Sequence, residues 1–274
     1  AVQLTAGTDT LVLQSYRRER VPGWLRRCLG SVEAWADDAG HAYEFVDDRL
    51  FDRLPGWFRE RCGDRLLPQT DLARLLLIRE KLAAGIRRVA WLDADVFVFA
   101  PAHLRLDGKD SFAFCREAWL DRGGDGCVLA TPKVNNAAMV FEAGNPVLDF
   151  LIHACLTIAA HRPPGGVGDF DFGPILLTQL SNVLPIPVIG CVGMIGPLLA
   201  EELGRRGGPV CATYALACGQ PLGAANLCGS LVAGARIPGF DEAAVVRAMD
   251  ALENTRGAVI NDHLGGARTH RGLF

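Results

Sequence analysis

Two carboxylates stand at the end of an apolar run in residues 89–99, VAWLDADVFVF. Asp93 and Asp95 are one residue apart, so along extended chain their side chains leave the same side of the backbone. Unpaired charges between apolar strands are costly. A divalent cation, Mn2+ or Mg2+, bound to a diphosphate would compensate them. Such an ion also neutralises a nucleotide diphosphate leaving group as Lewis acid and template. The plainer reading is an acidic turn in water.

Asp71 and Arg74 continue an apolar stripe with Ile78 and Leu82 at i, i+3, i+7 and i+11. Charges on an inner face either pair with each other or line a cleft. If they line one, it lies at the carboxyl ends of the strands, where open α/β sheets bind ligands. Arg74→Ala is then expected to weaken donor binding more than it lowers the melting temperature. Gln14, Ser15 and Tyr16 end the first apolar run and fall on the same rim. Asn135 and Asn136 stand between a loop and an apolar strand, as turn formers or ligand contacts. Asp169 and Asp171 lie in GVGDFDFGP; one can cap the helix that follows, which leaves the other carboxylate in solvent. His263 lies in a polar, glycine-rich stretch and by itself reads as a solvated histidine.

The elements that must hold these groups follow from periodicity. Residues 10–16 (TLVLQSY) read as a buried strand. Pro22 opens a helix with apolar positions Trp24, Leu25, Cys28, Leu29, Val32 and Trp35, and residues 41–46 form a second strand. This opening predicts an α/β domain with a mostly parallel sheet. A helix is expected from an N-cap at Thr70 to about Ala84, with strands at 88–92, 96–99, 111–115 and 137–141. Asn145-Pro146 starts another helix, a short one follows near 175–180, and a last one spans 241–254. Residues 204–239 are glycine-rich and weakly periodic, and no assignment is made there.

The 274 residues are 50% hydrophobic with a net charge of −3. They suffice for a large core and carry no basic field for a nucleic acid. Nine cysteines form no CxxC pair, which fits buried apolar thiols in a reducing compartment. No transmembrane segment is expected, since the most apolar window, 184–200, is broken by prolines and glycines. The expectation is one domain over 1–274 in the cytoplasm, with peripheral membrane attachment as a variant. Its nucleotide-binding part would be about 8–100, and its acceptor part and closing tail about 101–274.

LDADVFVFAPAHL resembles the D-x-D segment of GT-A glycosyltransferases, particularly the glycogenin-like family 8. Residues 70–75 (TDLARL) resemble the S-D-x-x-R element of the DXD sugar-transferase family, which includes fungal initiating mannosyltransferases and relatives of clostridial glucosylating toxins. Residues 134–137 (VNNA) and 172–178 (FGPILLT) are similar to two further elements of that family, in the same order. The resemblance implies a GT-A fold and a metal-dependent, retaining transfer of a hexose from a nucleotide-diphosphate sugar. UDP-hexose is the favoured donor and a GDP-sugar the alternative; the acceptor would be a glycan, lipid, protein or small molecule. It further implies that Gln14, Ser15 and Tyr16 hold base and ribose, that Asp71, Arg74, Asp93 and Asn135 bind the donor, and that Asp95 binds the metal directly while Asp93 spans metal and ribose. Asp171, Asp169 and Asn136 would then be the catalytic candidates. His263-Leu-Gly-Gly266 fits the family's metal-binding H-x-x-G, and Arg268 could stand where the family has a phosphate-binding lysine. The segment after Asn254 would then close over the site. Two readings compete: a haloacid-dehalogenase-like phosphatase, whose D-x-D leads into a helix rather than more strand, and a GT-A-like protein that binds without turnover.

Overall fold

The computed structural model describes residues 9–264 except 107, 206 and 236. Strand β1 (Thr10–Ser15) leads through α1 (Gly23–Asp38) to β2 (Ala42–Val46). Then come α2 (Gly56–Cys62), α3 (Leu66–Ala83), β3 (Arg88–Leu92) and β4 (Val96–Val98). A long hairpin, β5 (Phe112–Arg122) and β6 (Val128–Glu142), precedes α4 (Pro146–Ala160), a π-helical turn at Asp171–Ile175 and α5 (Leu176–Ser181). The rest comprises β7 (Val188–Ile189), β8 (Val192–Met194), α6 (Pro197–Leu203), α7 (Pro209–Cys218), β9 (Ala224–Asn226), α8 (Gly229–Ala233), α9 (Glu242–Thr255) and α10 (Ala258–Asn261).

The fold is mixed α/β. A six-stranded sheet runs β2-β1-β3-β6-β5-β7, and a three-stranded sheet runs β4-β9-β8. β1 pairs in parallel with β2 and β3, while β6 is antiparallel to both β3 and β5. Alternation along the strands sorts the core. Leu11, Leu13, Val89, Trp91 and Met139 pack against Leu72, Ile78, Leu148 and Leu151 of α3 and α4. Val12, Ala90, Leu92 and Val140 face Val32 and Trp35 of α1. The three-stranded sheet has its own apolar cluster, including Trp24, Phe97, Tyr214, Leu222 and Ile260.

Local signals placed several elements correctly. α1 buries Trp24, Leu25, Cys28, Val32 and Trp35. Asn145 and Asp241 cap α4 and α9 through side-chain acceptors. Other expectations are corrected. α3 begins at Leu66, and Thr70 lies inside it with its hydroxyl on the Leu66 carbonyl. Asn135 and Asn136 sit within β6, because the ladder with β5 runs from Phe112 to Arg122 and carries the strands far past their apolar cores. In the stretch 204–239, which carries no assignment from sequence, the structure forms α7, β9 and α8. The chain after Asn254 is docked as far as α10: Asn261 bonds both the amide and the carbonyl of Leu222, and Ile260 is buried. Among the described residues no helix is long and apolar enough to cross a membrane.

Candidate functional site

β3 ends at Leu92, and the chain turns at once. The Asp93 amide donates to the Ala137 carbonyl at 2.8 Å, and the Val96 amide donates back to the Asp93 carbonyl at 3.0 Å. This turn hands the chain from the large sheet to the small one. Asp93 and Asp95 are therefore not on one face of extended strand, as their spacing predicts. They come from a single turn into two different polar networks.

Asp93 faces α3. Its Oδ1 accepts from Arg74 Nη1 at 2.7 Å and from Trp91 Nε1 at 2.7 Å. Arg74 is 4% exposed and Asp71 6%, so this guanidinium is the hub of a buried network. It also donates to Asp71 Oδ1 and, at 3.1 Å, to the Asn136 carbonyl. Asn136 Nδ2 completes the ring on Asp71 at 2.9 Å. Gly173 lets the π-helical turn lie against this amide, since a Cβ there would be 2.9 Å from Asn136 Oδ1. Thus Asp71, Arg74, Asp93 and Asn136, far apart in sequence, meet in one network, with Gly173 packed against it. Arg74 and Asp71 form a buried ion pair, the first of the two readings of the helix stripe.

Asp95 faces the small sheet. Asn226 Nδ2 donates to Oδ1 at 2.7 Å and the Gly229 amide to Oδ2 at 2.6 Å. Burial, and then the negative charge of Asp93, push the Asp95 carboxyl from 3.8 up to about 7. Neither Asn226 nor Gly229 was singled out from sequence. The visible signal was an amide alone in the apolar run LGAANLCG.

Gln14 is fully buried below the turn, donating to the Asp93 carbonyl at 3.1 Å and accepting from the Tyr43 hydroxyl at 3.1 Å. It braces the carboxylate turn rather than presenting an amide outward. Ser15 and Tyr16 are half-buried at the rim, with the Arg17 guanidinium 5.5 Å from the Tyr16 ring centre. Asn135 turns away from Asn136, toward Glu117 rather than Asp71, at the irregularity where β6 slips against β5. Its Nδ2 donates to Glu117 Oε2 at 2.7 Å, and its Oδ1 accepts the Ala137 amide at 2.7 Å. Glu117, buried on β5, is a second group the sequence reading missed.

The acidic loop is engaged locally. Asp171 accepts the Gly168 amide at 2.9 Å and lies 3.7 Å from Arg162, while Asp169 lies 3.8 Å from Arg65. His263 is half-buried just past α10, and the neighbouring Leu264 packs on the cluster around the small sheet. Among the described residues no group of three or more His, Cys, Asp or Glu gathers to hold a metal, so His263 does not join Asp93 and Asp95 in one. Arg268 lies outside the described residues.

The residues present fit a divalent cation at the turn. Among the described residues no donor reaches Asp93 Oδ2, and the two like charges of Asp93 and Asp95 press on each other. Hard oxygen donors of this kind suit Mg2+ or Mn2+. No helix follows the D-x-D; β4 does, unlike the turn into a helix expected of the phosphatase alternative.

No family model matches the chain. It is similar to the V-type ATP synthase alpha chains of Anaeromyxobacter sp. (strain K) and Anaeromyxobacter dehalogenans (strain 2CP-1 / ATCC BAA-258). Each is 28% identical over 190 residues, covering 65% of this chain and 30% of theirs. The chain thus spans less than a third of the length of these relatives. Among solved structures it is similar to a glycosyltransferase involved in glycosylation of the major capsid of PBCV-1, with TM-score 0.41, 11% identity, and coverage of 80% of this chain and 93% of that one. It is also similar to apo mouse xyloside xylosyltransferase 1, with TM-score 0.40, 14% identity, and coverage of 80% and 97%.

Proposed function

We propose that the chain is a metal-dependent glycosyltransferase that takes a hexosyl group from a nucleotide-diphosphate sugar, with UDP-hexose favoured. The observation that supports this most is the turn after β3. It sets two carboxylates at the carboxyl end of a parallel βαβ unit, where ligands of open α/β sheets bind. Asp95 and Asp93 would hold Mn2+ or Mg2+, and the ion when bound supplies charge neutralisation for a diphosphate leaving group.

This chain's own residues do the positioning. Asn226 and the Gly229 amide orient Asp95, while Arg74 and Trp91 orient Asp93. Gln14 locks the backbone of the turn, so the carboxylates are held before any donor arrives. Ser15 and Tyr16 at the rim are proposed for ribose and base, with retention of configuration as the stereochemical outcome. Asp171 and Asp169 are proposed as the acidic groups toward the donor sugar, and residues beyond α10, including Arg268, as the closing segment over the diphosphate.

A thermal-shift screen of nucleoside diphosphates with and without manganese tests the reading. UDP with Mn2+ should raise the melting temperature by mass action, UDP alone much less. Asp95→Asn should remove the metal-dependent part. If no nucleoside diphosphate shifts the wild-type protein in the presence of manganese, the proposal is wrong.

A further inference from the structure

Glu117 is the buried carboxylate that the proposed donor site leaves unused. The residue is 5% exposed, yet its charge is only partly met. Oε2 takes the Asn135 amide at 2.7 Å, and Oε1 stops 3.8 Å from Lys133 Nζ, too far for a hydrogen bond. Among the described residues no other donor reaches Oε1. Burying a carboxylate with one oxygen unmatched is unfavourable unless something else supplies a donor.

The surroundings say what that donor would be. Glu117 and Lys133 are directly opposite in the β5–β6 ladder, and Cys115 is opposite Asn135. Trp119, two residues along β5, walls the group; its ring centre is 5.8 Å from Lys133 Nζ, and its edge lies close to Gly196. An acceptor oxygen, an ammonium and an amide beside an indole form a mixed donor–acceptor surface. No run of like charges stands there to attract a phosphate. The group also lies near the carboxylate turn: the buried Cys228 thiol feels both the Asp95 and the Glu117 charge, and the buried Cys115 thiol both the Asp93 and the Glu117 charge.

We infer that the hairpin face of Glu117, Lys133, Asn135 and Trp119 binds adjacent hydroxyls of a pyranose ring. One hydroxyl donates to Glu117 Oε1, and its neighbour accepts from the Lys133 ammonium across the gap between them. The ring belongs either to the donor's hexosyl group or to an acceptor glycan. As a substrate-transfer site the inference rests on the glycosyltransferase reading; as a sugar site it stands by itself.

Calorimetric titration of the full chain separates the two sources. One arm compares UDP-glucose with UDP in the presence of MnCl2. The other titrates maltotriose, cellobiose, lactose and xylobiose without nucleotide. Glu117→Gln and the more exposed Lys133→Ala are titrated alongside, after circular dichroism shows each is folded. A donor ring predicts that UDP-glucose binds the wild type more tightly than UDP does, and that both variants erase that advantage. An acceptor ring predicts that at least one oligosaccharide binds the wild type and loses about tenfold or more in both variants. The inference is overturned if no sugar binds the wild type in either arm, or if Lys133→Ala and folded Glu117→Gln bind every sugar as the wild type does. Failure of UDP with manganese to bind at all would defeat the glycosyltransferase reading alone, because the oligosaccharide arm still decides the subsite.

Discussion

Arg74→Ala should be among the most damaging single substitutions in this chain, and its effect should fall on stability as well as on donor binding. The guanidinium is almost fully buried and bridges Asp71, Asp93 and the Asn136 carbonyl. Removing it leaves Asp71 with the Asn136 amide as its remaining donor among the described residues, and Asp93 with Trp91. Breaking a buried ion pair by deleting one partner destabilises by about 3–5 kcal/mol, because a charge stays buried without compensation. In a protein of this size 1 kcal/mol moves the melting temperature by about 2–4 °C, so a fall of roughly 6–20 °C is expected. Arg74→Lys keeps the charge but cannot reach three acceptors with a planar fork, and should lie in between. Urea titration should show a lower midpoint with an unchanged slope. Asp71→Ala combined with Arg74→Ala should be less than additive, since the second change removes the stranded charge. A melting temperature for Arg74→Ala within 2 °C or so of wild type would refute the reasoning and make the pair a rim contact only. The structure thereby revises the expectation from sequence that donor binding would suffer more than stability.

Three further outcomes are expected. With its pKa raised from 3.8 to about 7, Asp95 binds a proton more tightly in the folded state than in the unfolded one. That contribution to stability is complete below the unfolded value and is lost as pH rises through about 7. Metal-free protein should accordingly melt lower at pH 8 than at pH 5.5, with a flatter profile for Asp95→Asn; identical profiles for the two would show that Asp95 is not the titrating group. Gly229→Ala would place a Cβ 3.0 Å from Asp95 Oδ2 and 3.1 Å from the Trp24 ring. It should shift the carboxylate and weaken manganese-dependent UDP binding, and calorimetry showing wild-type affinity would count against Asp95 as a metal ligand. Asn261→Ala removes both hydrogen bonds to Leu222 and should lower stability by about 1–3 kcal/mol in urea titration; no measurable change would mean that α10 is not held through this side chain.

Much of the scaffold was legible without coordinates because its signals are local. A β-branched strand, a helix with one apolar stripe and a second strand define the β1-α1-β2 opening. Asn145 and Asp241 announce their helices by capping chemistry that acts over two or three residues. The Asp71–Arg74 pair and the Asp93–Asp95 pair also stood out, since charges embedded in apolar periodicity are conspicuous in a short window. The starts of α3 and β6 were misplaced for the converse reason. Leu66 and Val128 lie where a helix or strand continues by tertiary pairing after its apolar pattern has faded.

By itself, then, the sequence determined the α/β class, the strand that delivers two carboxylates and the helix that carries Asp71 and Arg74. Only the tertiary structure decided what each carboxylate touches. Asp95 is held by Asn226, 131 residues away, and by Gly229, 134 residues away, in a sheet whose strands are too short to show a period. The turn at Asp93 sent the two carboxylates to different networks, where spacing alone placed them on one face. Asn135 and Asn136 turned apart, toward Glu117 and Asp71, because the register of β6 against β3 and β5 set their direction. Partners of this kind are chosen by sheet order and register, which depend on the packing of the whole chain and leave no mark in the residues beside them.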